Sequence, residues 1–266
     1  MMRTRRAAVA CCLLGLMLAS ACGGSDSGGS GSTRPAAEEP FSFDVPLGTQ
    51  TALRLHGVSG TVAVTGAPGV ALPVSVTGVR RVEADTLEDA TAQLAALQVD
   101  VTSSATEVLV ETVQPQFAAG RNYIVNYTIV VPEHLDVSVM TLNGDVTVRL
   151  LNGDCMIMNT NGRIQADTIV GNAILSSVNG DITASVTLPS AGQIDIGLAN
   201  GTIDLGIPQA TSAQFSATVG IGSITLTNLT LSNDTATPGS RSGTLGGGDG
   251  TIELDVGNGT IAVRGF

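Results

Sequence analysis

The sequence predicts an all-β chain, a parallel β-helix or solenoid with 18-residue coils that lengthen to 21, preceded by irregular strands and one short helix. Three observations predict it. First, glycine recurs every nine residues at Gly144, Gly153, Gly162, Gly171 and Gly180. The beat stretches to Gly192, Gly201 and Gly222 and returns at Gly250 and Gly259, and Gly60 and Gly69 share it. Fixed-period self-similarity marks a stacked, quasi-one-dimensional fold. Second, the residues two and four places after these turns are apolar: Val146 and Val148, Ile164 and Ala166, Ile182 and Ala184, Ile203 and Leu205. Their neighbours are mostly polar, and such alternation is a strand with one face in a core and one in water. Third, stacking at twice the beat aligns Val146, Ile164, Ile182, Ile203 and Ile224 in one column and Cys155, Ala173, Ile194 and Phe215 in another.

An antiparallel meander is the competing layout, because Asn-Gly between alternating runs is a strong hairpin signal. Hairpins at these turns would set Val146 opposite Thr141, Ile164 opposite Asn159 and Ile182 opposite Ser177. Opposed residues share a face, so the meander puts polar groups beside core positions. Parallel stacking avoids this, with glycine supplying the positive φ that the tight corners need.

The chain opens with Arg3, Arg5 and Arg6 before an apolar run from Ala7 to Leu18, the length of a secretory signal and too short to span a bilayer. Residues 1–21 read as that signal. Its ending, Leu18-Ala19-Ser20-Ala21-Cys22, resembles the lipobox of bacterial lipoproteins, which implies diacylation at Cys22. Two or three acyl chains, at about 0.8 kcal/mol per buried CH₂, hold a protein stably at a membrane. Residues 22–40, rich in glycine and serine, read as a flexible tether with little to bury. Residues 41–266 read as one solenoid domain.

Within that domain Phe41, Phe43 and Val45 alternate in an approach strand. Thr86-Leu87-Glu88-Asp89 opens a short helix with a capping threonine and an apolar stripe of Leu87, Ala90, Leu94 and Leu97. Together they are expected to cap the N-terminal end of the stack, where an open edge would invite aggregation. Leu97–Val101, Val108–Val113 and Tyr123–Val131 read as strands, and Ser232–Asp249, polar and glycine-rich, reads as a long loop between late coils.

The full chain carries a formal charge of −11, and there is no lysine. Residues 1–21 hold three of the 12 basic groups and no acid, so the remainder has 12 − 3 = 9 arginines against 23 acids, or −14. Such a surface disfavours nucleic acid and anionic lipid faces. Two tyrosines, five phenylalanines and no tryptophan leave no stacking platform for bases.

Chemistry-bearing motifs are scarce. Cys11 and Cys12 leave with the signal, and Cys155 occupies an inward place where a small apolar residue belongs. His56 and His134 lie at strand ends or turns without HExxH, CxxC or a nucleophile elbow. Gly246-Gly247-Gly248-Asp249-Gly250 lacks the GK[ST] of a phosphate loop. Calcium-binding nonapeptide rolls need GGxGxD in each repeat, whereas here Arg163 shares a column with Asp145 and Asp181. Asp195 and Asp204 point outward but sit on successive half-coils, on different sides, so they make no carboxylate pair. No enzyme activity, cofactor or metal is implied.

The run from Tyr127 through Pro132-Glu133-His134-Leu135-Asp136 to Asn143-Gly144-Asp145-Val146, followed by repeated Asn-Gly-Asp-Ile-like turns, resembles the bacterial putative-adhesin family of β-solenoid envelope proteins. The resemblance spans roughly Leu53 to Phe266. It implies a right-handed β-helix at the cell envelope, outside the cytoplasm, and on the outer membrane in a two-membrane bacterium. Ile221 in place of asparagine and the Ser232–Asp249 insertion depart from the pattern.

The functional expectation is a non-enzymatic, lipid-anchored envelope protein whose solenoid surface serves adhesion or partner binding. The alternative is a structural or stress-sensing envelope component that binds another membrane protein. Its expected partners are the membrane, through the anchor, and an envelope protein or surface ligand. Met156 and Ile174 are large apolar residues at outward places, 18 residues apart and so on adjacent coils; Met158 enlarges the patch. Either the helix at Thr86–Leu97 covers this patch or a partner does.

Overall fold

The structure, a computed structural model, describes residues 34–69 and 73–266. The signal, Cys22 and most of the expected tether lie outside the described residues. Described residues form two parallel stacks of short strands, facing each other across one core. The inward columns hold as expected: Val146 pairs with Ile164, Ile164 with Ile182 and Ile182 with Ile203, while Cys155 pairs with Ala173 and Ala173 with Ile194. Every inward residue two or four places after a turn glycine is buried, except Ile224 and Leu226. Those two belong to the last strand of one stack, which has a neighbour on one side only.

In chain order the strands are β1 (Ala36–Val45), β2 (Ala52–His56), β3 (Val62–Ala67) and β4 (Val74–Glu83), then the helix α1 (Leu87–Leu94). They continue with β5 (Gln98–Ser103), β6 (Glu107–Val113), β7 (Asn122–Pro132), β8 (Asp136–Met140) and β9 (Val146–Leu151). The regular coils are β10 (Cys155–Met158) with β11 (Ile164–Val170), β12 (Ala173–Asn179) with β13 (Ile182–Thr187), and β14 (Gln193–Ile207), which turns the corner unbroken. Last come β15 (Ala213–Thr227), β16 (Ser232–Thr237), β17 (Ser240–Leu245) and β18 (Gly250–Gly265).

The stacking order departs from chain order at both ends. The first coil, β2 with β3, lies between β6 with β7 and β8 with β9. The final strand β18 lies between β14 and β15, pairing in parallel with both over its whole length. The column therefore runs Ile203–Ile261–Ile224, and the other Ile194–Ile252–Phe215, so the sequence reading misplaced Ile224 and Phe215 by one coil.

Side chains at the corner explain this order. Asn161 donates to Asn143 at 3.0 Å, Asn179 to Asn161 at 2.9 Å, Asn200 to Asn179 at 3.1 Å and Asn258 to Asn200 at 3.0 Å. Stacked asparagines satisfy one another coil by coil. Ile221 shares the column but has no amide, so it belongs at the end, where it is 74% exposed. Placing β18 inside keeps the ladder whole.

The aspartates after the corner glycines also serve the fold. Asp145 accepts from the backbone N–H of Arg163 at 2.8 Å and Asp181 from that of Thr202 at 3.0 Å. Each carboxylate thus takes a backbone donor from the next coil, which is the role of the Asn-Gly-Asp signature. The turn glycine is equally forced. Gly162 has φ +130°, and a Cβ there would meet the Gly144 carbonyl oxygen at 2.2 Å. Thr141, Asn159 and Ser177, the polar residues that argued against a meander, are buried at the same corner. Asn159 donates to the Gly144 carbonyl at 3.0 Å and Ser177 to that of Asn179 at 3.3 Å.

The ends are covered by antiparallel strands. At one end β1 pairs with β4 and β4 with β7, while β5 pairs with β6. β1 begins at Ala36, inside the segment read as tether, because Glu38 and Glu39 form ion pairs with Arg81 and Arg80. The helix packs on β1 and β4, with the Thr86 hydroxyl accepting from the Asp89 N–H at 3.1 Å. At the other end, Ser232–Asp249 is not a long loop. Its β16 and β17 form a hairpin, and β17 pairs antiparallel with β15 from Ala213 to Thr218. Arg241 holds Asp234 with two hydrogen bonds, 3.2 and 2.8 Å, and keeps its carboxyl below the usual range. The hairpin carries little apolar surface, so backbone pairing holds it and no hydrophobic pattern announces it.

Candidate docking face

The outward side of the stack containing β8, β10 and β12 carries the sequence-predicted patch. Alternation turns Met156 and Met158 of β10 away from the core while Cys155 and Ile157 point in. In register, Met156 lies between Ser138 and Ile174, and Met158 between Met140 and Ser176. The patch is thus a block on three strands about 4.8 Å apart. Met140, Met156 and Met158 are 41%, 38% and 45% exposed, and Ile174 is half-buried. The helix does not cover them, since it packs on β1 and β4. Met140 is the member that sequence reasoning missed. It stands 18 residues before Met158, but its strand is not led by a turn glycine.

Beside the block runs an open groove of about 480 Å³, lined by Arg54, Asp136, Ser138, Asp154, Met156 and Ile174, with Asn172, Ala191 and Gln193 along one side. Ala191 and Gln193 are there because the turn before β14 lengthens the coil: Asn172 aligns with Gln193, 21 residues on, where earlier coils repeat at 18. The groove therefore sits where the coil length changes.

Its polar groups are largely engaged in holding the turns. Asp136 accepts from the Asp154 N–H at 2.8 Å, Asp154 from the Asn172 N–H and amide at 3.0 Å, and Asn172 from the Gln193 N–H at 2.7 Å. Arg54 lies 3.4 Å from Glu107 and His56 lies 3.3 Å from Glu111. Cys155 forms part of the floor but is buried, and burial pushes its thiol up to about 12, so it presents no thiolate nucleophile at neutral pH. Asp195 and Asp204 fall on different stacks, and Asp204 is bound to Arg264 at 2.7 Å. Among the described residues no group of three or more His, Cys, Asp or Glu side chains is arranged to hold a metal ion.

This arrangement offers a wide surface with an apolar centre. The family model described as Toastrack DUF4097 matches residues 41–264. The chain belongs to that family. No curated protein matches this Toastrack chain. Among solved structures it is similar to one described as a putative cell adhesion protein from Clostridium sporogenes, at 11% identity and TM-score 0.49, covering 86% of this chain and 100% of that one. It is also similar to a structure described as a putative adhesin from Bacteroides fragilis, at 12% identity and TM-score 0.34, covering 85% and 97%. A third, described as a putative adhesin from Parabacteroides distasonis, has 8% identity and TM-score 0.22, again covering 85% and 97%. Among the described residues of the Toastrack chain, no helix is long and apolar enough to cross a membrane.

Proposed function

We propose that this chain is a non-enzymatic, lipid-anchored protein of the cell envelope that presents its solenoid face for adhesion or partner binding. The observation that carries the reading is the block of Met140, Met156, Met158 and Ile174, held in register on a stacked sheet, with the three methionines exposed and Ile174 half-buried. Scattered apolar residues on a surface need no explanation, but a contiguous group marks a contact. Methionine suits that role because its unbranched, polarizable side chain adapts to what it meets. The anchor rests on the arginine-led signal and the lipobox-like ending at Cys22, and it places the face outside the cytoplasm.

The test is in-cell crosslinking of the double variant Met156→Gln with Ile174→Thr, run beside Cys22→Ala under fatty-acid labelling. The double variant is expected to keep its denaturation midpoint, within about 1 kcal/mol, and to lose the crosslinks of the wild type. Cys22→Ala is expected to lose the fatty-acid label. A double variant that keeps its crosslinks, or that unfolds, would refute the docking face. Equal labelling of wild type and Cys22→Ala would refute the anchor.

A further inference from the structure

From the charges that border this face, we infer that its partner presents a basic, amphipathic segment, with cationic side chains on both sides of a short apolar run. The inference rests on the docking reading and names the partner's chemistry.

Several acids elsewhere on the described surface are paired with arginines. Glu39 pairs with Arg80, Asp89 with Arg121, Asp234 with Arg241 and Asp204 with Arg264. The last of these is instructive, because β14 and β18 carry it on the opposite stack. On the docking face the same two strands put Asp195 directly beside Glu253, like against like, with Asp255 two residues further along. At the other flank of the face, Asp100 of β5 lies directly opposite Glu111 of β6. Like charges in register destabilise a sheet. Of these five acids, only Glu111 lies within ion-pair distance of a basic side chain among the described residues, and that side chain is His56. Arg54 of β2, between the β6 flank and the apolar block, lies against Glu107.

The layout has a length scale. In stacking order the strands are β6, β2, β8, β10, β12, β14 and β18. From Glu111 on β6 to Glu253 on β18 is six steps, roughly 29 Å, with the apolar block on the three central strands. An extended segment along the stack spans that distance in about nine residues. Charges of opposite sign at its two ends meet Asp100 and Glu111 at one flank and Asp195, Glu253 and Asp255 at the other, and apolar side chains between them meet the methionines. Complementary charge speeds encounter and sets register, and the apolar centre adds the buried contact. The same acids repel an anionic lipid surface.

The experiment uses the full-length protein and a fluorescent synthetic peptide of about nine residues, with lysines at both ends and leucine and valine between them. Anisotropy is expected to show binding that weakens as salt rises. The triple variant Asp195→Asn, Glu253→Gln, Asp255→Asn is expected to lose affinity at least about tenfold while keeping or raising its denaturation midpoint. Equal binding of a peptide with glutamates in place of the lysines would overturn the basic character. Equal binding of a lysine and serine peptide would overturn the amphipathic character. If the triple variant also keeps every in-cell crosslink that Met156→Gln with Ile174→Thr abolishes, the docking face stands and the basic partner class falls.

Discussion

Ending the chain at Asp249, and so removing β18, is expected to abolish cooperative folding of the whole solenoid. A terminal coil at the edge of a stack can fray at modest cost, because it shares one interface with its neighbour. β18 is terminal in sequence and interior in space. It pairs with β14 along one edge and with β15 along the other, and Ile252, Leu254, Val256, Ile261 and Val263 are buried. At roughly 1.5–3 kcal/mol for each buried aliphatic side chain, their loss rivals the total stability of a typical domain, about 5–15 kcal/mol. It also strands β15 and the β16–β17 hairpin beyond an empty slot. Circular dichroism on heating reads the outcome. A truncated protein that melts in one transition within a few degrees of the full chain would show that β18 is peripheral.

Ile182→Asp is expected to cost several kcal/mol, whereas Thr183→Asp costs about 1 kcal/mol or less. Ile182 has no exposed surface and lies between Ile164 and Ile203 in the column. A carboxylate there has no partner. Thr183, one residue on, points outward between Gln165 and Asp204, so an acid meets a like charge at the surface, in water. The pH dependence separates them further. Burial raises the folded-state pKa of the Asp replacing Ile182 above its unfolded value of about 3.9. The native state then holds more protons than the unfolded one, so stability is highest below the unfolded value and is lost as pH rises from there through the raised folded-state pKa. Equal denaturation midpoints for the two variants at pH 7 would contradict the register.

How much of this was legible in the sequence depends on what local pattern encodes. Alternation after each glycine assigned the faces of β9 to β15 correctly, because a one-residue error would turn every Ile and Val outward. Pattern does not encode which coil touches which. Chain order placed Ile224 beside Ile203, yet β18 intervenes. A signal was present: Asn258-Gly259-Thr260-Ile261 repeats Asn200-Gly201-Thr202-Ile203, and only matching coils continue the asparagine ladder. The helix was found from its cap and stripe, and it packs on the approach strand β1 as expected. Its stripe could not exclude the methionine patch as a second surface, since an apolar stripe fits any apolar surface. β16 and β17 went unseen because backbone hydrogen bonds, not buried side chains, hold them. Of the candidate site, Met156, Met158 and Ile174 were legible from the 18-residue offset. Met140 and the opposed acids needed the register of β8, of β5 with β6 and of β14 with β18.

The most direct test of the docking face is a photoreactive amino acid placed at the position of Met156 and, in a second strain, at that of Thr183 on the other stack. Irradiation of intact cells is expected to give discrete crosslinked products from the first position and none from the second. Products from the Thr183 position alone, or the same products from both, would contradict the assignment of the methionine face as the working surface of this protein.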